Sequence, residues 1–151
     1  MTKKIFQSII IVAATVLLAS LTIILGVFYE YFGNIQKGQL TDELNLASVS
    51  VIKDGVDYLE HLQSDHYRLT WIDTDGTVLY DTETGNEELE NHKDRAEVKT
   101  AFEKGIGEST RYSATLMEKT RYYAKRLEDG TVLRISAKYA TPRTRSPVVA
   151  Y

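Results

Sequence analysis

The chain of 151 residues contains no cysteine. A disulfide framework and a thiol nucleophile are therefore excluded, and any exported domain must be held by its core alone. Proline is nearly absent: Pro142 and Pro147 are the only two, and both fall in the final stretch "ATPRTRSPVVAY", which reads as an irregular end. Histidine is scarce too. His61 and His66 have a poor spacing for sharing a metal from one helix face and read as exposed helix-end residues. G-x-S-x-G, a phosphate-cradling glycine loop and H-E-x-x-H are all missing, so no motif with a catalytic mechanism is present and no cofactor or metal is implied. The net charge of −3 carries no basic footprint for nucleic acid.

Charge is missing altogether from Ile5 to Tyr29, "IFQSIIIVAATVLLASLTIILGVFY". This run of about 25 residues exceeds the roughly 20 that a helix needs to cross a bilayer core. A cleavable signal peptide is the competing reading, since Lys3 and Lys4 form a basic start, but its apolar region should span only about 7–15 residues. The expected organisation is a cytoplasmic tail over 1–4, a membrane helix over 5–29 contacting lipid, an extracytoplasmic domain over 30–140 and a tail over 141–151. Lys3 and Lys4 on one side, with Glu30 the first charge on the other, give this single-pass orientation.

After the span, "EYFGNIQKGQLTDELNLASVSVIKDGVDYLEHLQ" reads as a long helix, with Leu40, Leu44, Ala47, Val51, Tyr58 and Leu62 mostly at steps of three and four. Leu46, Val49, Val56 and Leu59 widen the stripe towards a second face. Such a helix packs either on its own sheet and on a second copy, as in a homodimer, or deep in one domain. Gly33, Gly38 and Gly55 weaken it, and a kink near Gly33 is an expectation.

"DGTVL" occurs at Asp75 to Leu79 and again at Asp129 to Leu133, each time between β-rich runs, and predicts two hairpins of one antiparallel sheet. The flanking sequences do not repeat, so this is turn chemistry used twice and not a duplicated module. In "RLTWID", Leu69 and Trp71 should face one way, Arg68 and Thr70 the other. "ETGNEELEN" reads as a solvated acidic loop, with a cation-binding loop the weaker alternative. A short helix is expected from about Arg95 to Lys104, with Asp94 and Glu97 as a capping box, Val98, Ala101 and Phe102 inward and Gly105 at its end. "ESTRYSATL", "RYYAKRL" and "VLRISAKY" then form a three-stranded meander, the last with Leu133, Ile135, Ala137 and Tyr139 on one core face. The fold class is α+β: an N-terminal transmembrane helix continuing into a long helix, then a five-stranded antiparallel, PAS-like sheet with a short helix.

The candidate ligand contacts are Trp71, Asp73, Asp81, His92, Arg95, Tyr112 and Tyr123. His92 and Arg95, in "ENHKDRAEV", either meet a ligand over the sheet or pin the acidic loop to it, with Asp81 as a possible partner. The strand tyrosines either line a pocket or belong to the core. Arg111, Arg121, Arg126 and Arg134 give this half a basic cast suited to an anion.

The succession "RLTWIDTDGTVLYDT", "ENHKDRAEV" and "AFEKGIGESTRYSATLMEKTRYYAKRLEDGTVLRIS", behind an anchor, resembles the extracytoplasmic sensor of Gram-positive phosphate-regulon-type histidine kinases, the single Cache-like domain. The resemblance covers about Gly33 to Tyr139. It implies a two-component receptor that senses a small ligand or an envelope protein outside the cell. It also implies a second span and an ATP-dependent autokinase, but the residues after Tyr139 carry neither, so kinase activity is not expected of this chain, which reads as a truncated gene, a fragment or a stand-alone sensor. The alternative is an accessory membrane protein whose exported domain dimerises or binds an envelope partner without a small ligand.

Overall fold

Hydroxyl groups in an apolar helix need partners that the helix itself can supply. In the computed structural model, which describes residues 2–85, 89–113 and 118–138, Ser8, Thr15 and Thr22 each donate to the carbonyl four residues back, and Ser20 donates to Leu17. The apolar run is thereby accommodated in helix α1, Thr2–Asp54. The chain divides into two compact units, residues 1–39 and 40–151. In the first, Ile9, Leu17, Ile23 and Phe28 are all exposed. The helix is long and apolar enough to cross a membrane, a test of length and composition that a signal sequence or a soluble core helix also passes. The helix runs without a break through Gly33 and Gly38. The helix ends instead at Gly55, whose φ of 60° turns the chain into the short α2, Val56–His61.

The second unit is a five-stranded antiparallel sheet in the order β2-β1-β5-β4-β3, with β1 Arg68–Ile72, β2 Val78–Asp81, β3 Ile106–Ser113, β4 Glu118–Arg126 and β5 Val132–Lys138. Both Asp-Gly hairpins are present and atomically alike. Asp75 and Asp129 each accept the backbone N–H of the threonine two residues on. Gly76 and Gly130 have φ of 92° and 87° and donate to Asp73 and Leu127. One recipe closes β1–β2 and β4–β5.

Leu40, Leu44, Ala47 and Val51 pack with Leu59 on Leu69, Tyr123, Leu133, Ile135 and Ala137, with Tyr58, Leu62 and Trp71 at the margin. Leu59 thus belongs to this core and not to a second helix face. Leu46 and Val49 do lie outside it, 67% and 69% exposed. The other sheet face carries a smaller cluster of Ile72, Ala124 and Val132 under α3, Ala96–Lys104, which contributes Val98 and Ala101 with Phe102 beside them. Strand β5 is therefore buried on both faces, Arg134 and Ser136 on one and Leu133 and Ile135 on the other, so the expectation of one core face was too narrow. Tyr139, the tail and residues 86–88 of the acidic stretch lie outside the described residues.

The capping box is not formed. The residue flanking α3 is Arg95, in extended conformation, and no side chain caps the helix. Glu97 is fully buried instead. Gly105 ends the helix as expected, its N–H donating to Ala101. At Gly107 a Cβ would run into the carbonyl of Glu97, so the missing side chain is what lets α3 lie close on β3.

Candidate functional site

Helix α3 covers only part of its sheet face. Register places Arg68, Ser136, Tyr122 and Ser109 in one cross-strand row on this face, with Thr120 and Arg111 paired in the next. Thr70, Arg134 and Ala124 form the row nearer the helix. Past the apolar patch under α3, the face is thus polar and rich in arginine.

Two charged clusters tie this face together. In the first, the buried Asp81 carboxylate accepts from Arg68 Nε at 2.9 Å, from the Thr70 hydroxyl at 2.8 Å and from the Glu83 backbone N–H at 3.0 Å. Burial pushes its carboxyl up, but these bonds outweigh that and hold its pKa below the ordinary value. Asp81 is therefore a buried anchor of β2. In the second, Glu97 from α3 accepts from Ser109 at 2.6 Å, from Arg111 at 2.7 and 2.8 Å and from Arg134 at 3.4 Å. Burial raises its pKa, while the Ser109 bond, backbone bonding and the two guanidiniums bring it below normal. Arg134 joins the clusters by donating to Thr70 at 3.1 Å.

The guanidinium of Arg111 lies 4.4 Å from the Tyr122 ring centroid and that of Arg134 lies 5.4 Å from it. The hydroxyls of Tyr122, Thr120 and Ser136 make no hydrogen bond among the described residues, which leaves them available to a molecule lying on the face. His92 closes the side towards β2. It is buried, its backbone N–H donates to Gly76, and its Nδ1 has no partner among the described residues. Burial, then the charges of Arg134 and Arg95, push its pKa down to about 4.

The residues singled out from the sequence are thus divided. Asp81 and His92 lie at this polar face. Trp71 and Tyr123 belong to the opposite face, packed with the helix core, and Trp71 Nε1 donates to Thr131. Asp73 is spent within the first turn, accepting from Thr74 and Gly76. Tyr112 is exposed on the edge strand β3, on the Tyr123 side of the sheet. Arg95 Nη2 is 3.7 Å from Glu90, with the two side chains 39% and 90% exposed, and the ion pairs that join α3 to the sheet are those of Glu97 with Arg111 and Arg134. Of the four meander arginines, Arg111 and Arg134 converge, whereas Arg126 donates to the Phe102 carbonyl.

Glu97, Arg68, Thr70 and Ser136 were missed. Glu97 stands four residues before Ala101 and beside Val98, on the inward stripe of α3, which was the available sign that its carboxylate points into the fold. No group of three or more metal-ligating side chains occurs among the described residues. No protein-family model matches the chain, and no curated protein does either.

Proposed function

We propose that this chain is the membrane-anchored, extracytoplasmic signal-sensing part of a two-component receptor of the histidine-kinase type, its second unit acting as a single Cache-like domain. The polar half-face carries this reading. Arg68, Arg111 and Arg134 tie β2 and α3 to the sheet through Asp81 and Glu97, and beyond that role the same half-face gathers Tyr122, Thr120 and Ser136, whose hydroxyls pair with no described residue. Small-molecule sites carry a few convergent polar groups of this kind. The uncharged run from Ile5 to Tyr29, preceded by Lys3 and Lys4, supports anchoring with the sensing unit outside.

The test is a thermal-shift panel on the full chain in lipid nanodiscs, using sugars, amino acids, organic acids, phosphate and divalent cations. A sensor gains stability by mass action from at least one class. A flat response to all of them overturns the reading. It would favour an accessory protein that dimerises or binds an envelope partner, for which the exposed Leu46, Val49 and Ile52 on α1 are the supporting observation.

A further inference from the structure

Resting on the sensing reading, we propose that the polar half-face binds a small oxyanion, a carboxylate or a phosphate, against Arg134 and His92. The first ground is charge pairing. Arg111 and Arg134 share one carboxylate, and Arg111 takes both short bonds, at 2.7 and 2.8 Å. Arg134 is left at 3.4 Å, although its side chain is only 5% exposed while that of Arg111 is 35% exposed. The more deeply buried cation has the poorer partner. A buried guanidinium needs a close anion far more than a surface one does, because water cannot screen it. Asp81 does not fill the gap, since its carboxylate is taken by Arg68 and Thr70.

The second ground is independent of charge. Two buried nitrogens, Arg134 Nε and His92 Nδ1, have no hydrogen-bond partner among the described residues. Thr70 links Arg134 to Asp81 by hydrogen bonds, and the charges of both bear on the His92 ring. A neutral imidazole with its proton on Nδ1 is a donor there, and Arg134 Nε is a donor in any state. Two unspent donors beside an under-compensated cation match the oxygens of one oxyanion. A neutral ligand would satisfy the donors and leave the charge, and a cation would worsen it. The Tyr122 ring and the Ser136 hydroxyl, in the adjoining row, supply a flat apolar surface and a polar contact for whatever the oxyanion is attached to.

The experiment uses the full chain in nanodiscs of neutral lipid, with sodium acetate, lactate, succinate or phosphate against sodium chloride at equal ionic strength. The expected result is a saturable rise in the melting temperature of about 5 °C or more for at least one oxyanion. The carboxylate and phosphate arms tell the two sources apart. Arg134→Gln, which leaves Glu97 paired with Arg111, should abolish the rise. Should that variant fail to fold, histidine-labelled protein supplies the second readout: the oxyanion must move one imidazole resonance, identified by its loss in His92→Gln, and leave those of His61 and His66 in place. A rise retained in Arg134→Gln, or a titration that leaves the His92 resonance unmoved, overturns the proposal. So does stabilisation by sugars or cations alone, and in that case the sensing reading survives without it.

Discussion

Nη2 of Arg111 lies 2.7 Å from Oε2 of Glu97, a carboxylate with no exposed surface, and this contact fastens α3 to the edge strand β3. Replacing Glu97 by Gln keeps the volume but removes the charge that two guanidiniums share. Breaking a buried pair on one side costs about 3–5 kcal/mol. Arg111 is a third exposed and can recover water, so about 3 kcal/mol is expected for Glu97→Gln, read as a lowered urea midpoint. A loss below about 1 kcal/mol would show that the apolar contacts of Val98 and Ala101 hold the helix without the pair.

Acidification should weaken the domain in two stages. The folded pKa of His92 lies near 4, below the ordinary 6.5, because burial and the facing Arg134, Arg95 and Arg68 oppose its charging while Asp81 only partly offsets them. Between these values the unfolded chain binds a proton that the folded chain refuses, so stability falls as pH drops from 6.5 towards 4, by roughly 3 kcal/mol. Asp81 and Glu97, both depressed, contribute stability that is present above their ordinary carboxylate pKa values and lost as pH falls through the lower folded ones. His92→Gln should flatten the limb between 6.5 and 4 and leave the more acidic one. An unchanged upper limb in that variant would assign the loss to other groups.

The two turns share their hydrogen bonds but not their surroundings. A Cβ at Gly76 would meet Asn91 and Lys93, in the segment whose His92 N–H bonds the Gly76 carbonyl, whereas at Gly130 the nearest atom is a Thr74 methyl at 3.4 Å. Positive φ alone costs an L-residue about 1–2 kcal/mol, and forced contacts add roughly 1–3 kcal/mol. Gly76→Ala should therefore destabilise clearly more than Gly130→Ala in paired denaturation curves. Equal effects would mean that the segment around Asn91 yields freely.

Much of the sheet was legible because its signals are local. Asp-Gly between alternating runs placed both hairpins, and the spacing of Leu40, Leu44, Ala47 and Val51 gave the helix face that covers the sheet. The polar face was not legible, because it is assembled across strands distant in sequence. Thr70 meets Arg134, and Glu97 meets Arg111 and Arg134, only once the order β1-β5-β4-β3 exists. Local pattern also misled. Asp94 and Glu97 have capping-box spacing, but the burial of Glu97 among three donors outweighs a cap worth about 1 kcal/mol.

Arg95 and Arg134 should consequently behave as opposites. Arg95 faces the exposed Glu90 at 3.7 Å, and surface pairs contribute about 0–1 kcal/mol. Arg95→Ala should leave the melting temperature almost unchanged, whereas Arg134→Ala, which empties a buried position between Thr70 and Glu97, should lower it clearly. A large loss in Arg95→Ala would show that the pin runs through that residue after all.

The anchoring expectation can be tested without reference to any ligand. Lys3 and Lys4 precede the uncharged run and Glu30 follows it, so the positive-inside rule leaves the N-terminus in the cytoplasm and the second unit outside. Protease added to intact cells should then digest the sheet domain, and its access should not depend on lysis. Retention of the remaining N-terminal fragment in the membrane pellet after an alkaline wash would separate an anchor from a cleaved leader, because a processed domain would leave no such fragment. Cells in which the domain resists protease until they are broken would place it on the inner side and reverse the orientation. Reversing the flanking charges, with Lys3 and Lys4 changed to Glu and Glu30 to Lys, should then shift part of the population towards protection, since basic residues beside a span favour the cytoplasmic side.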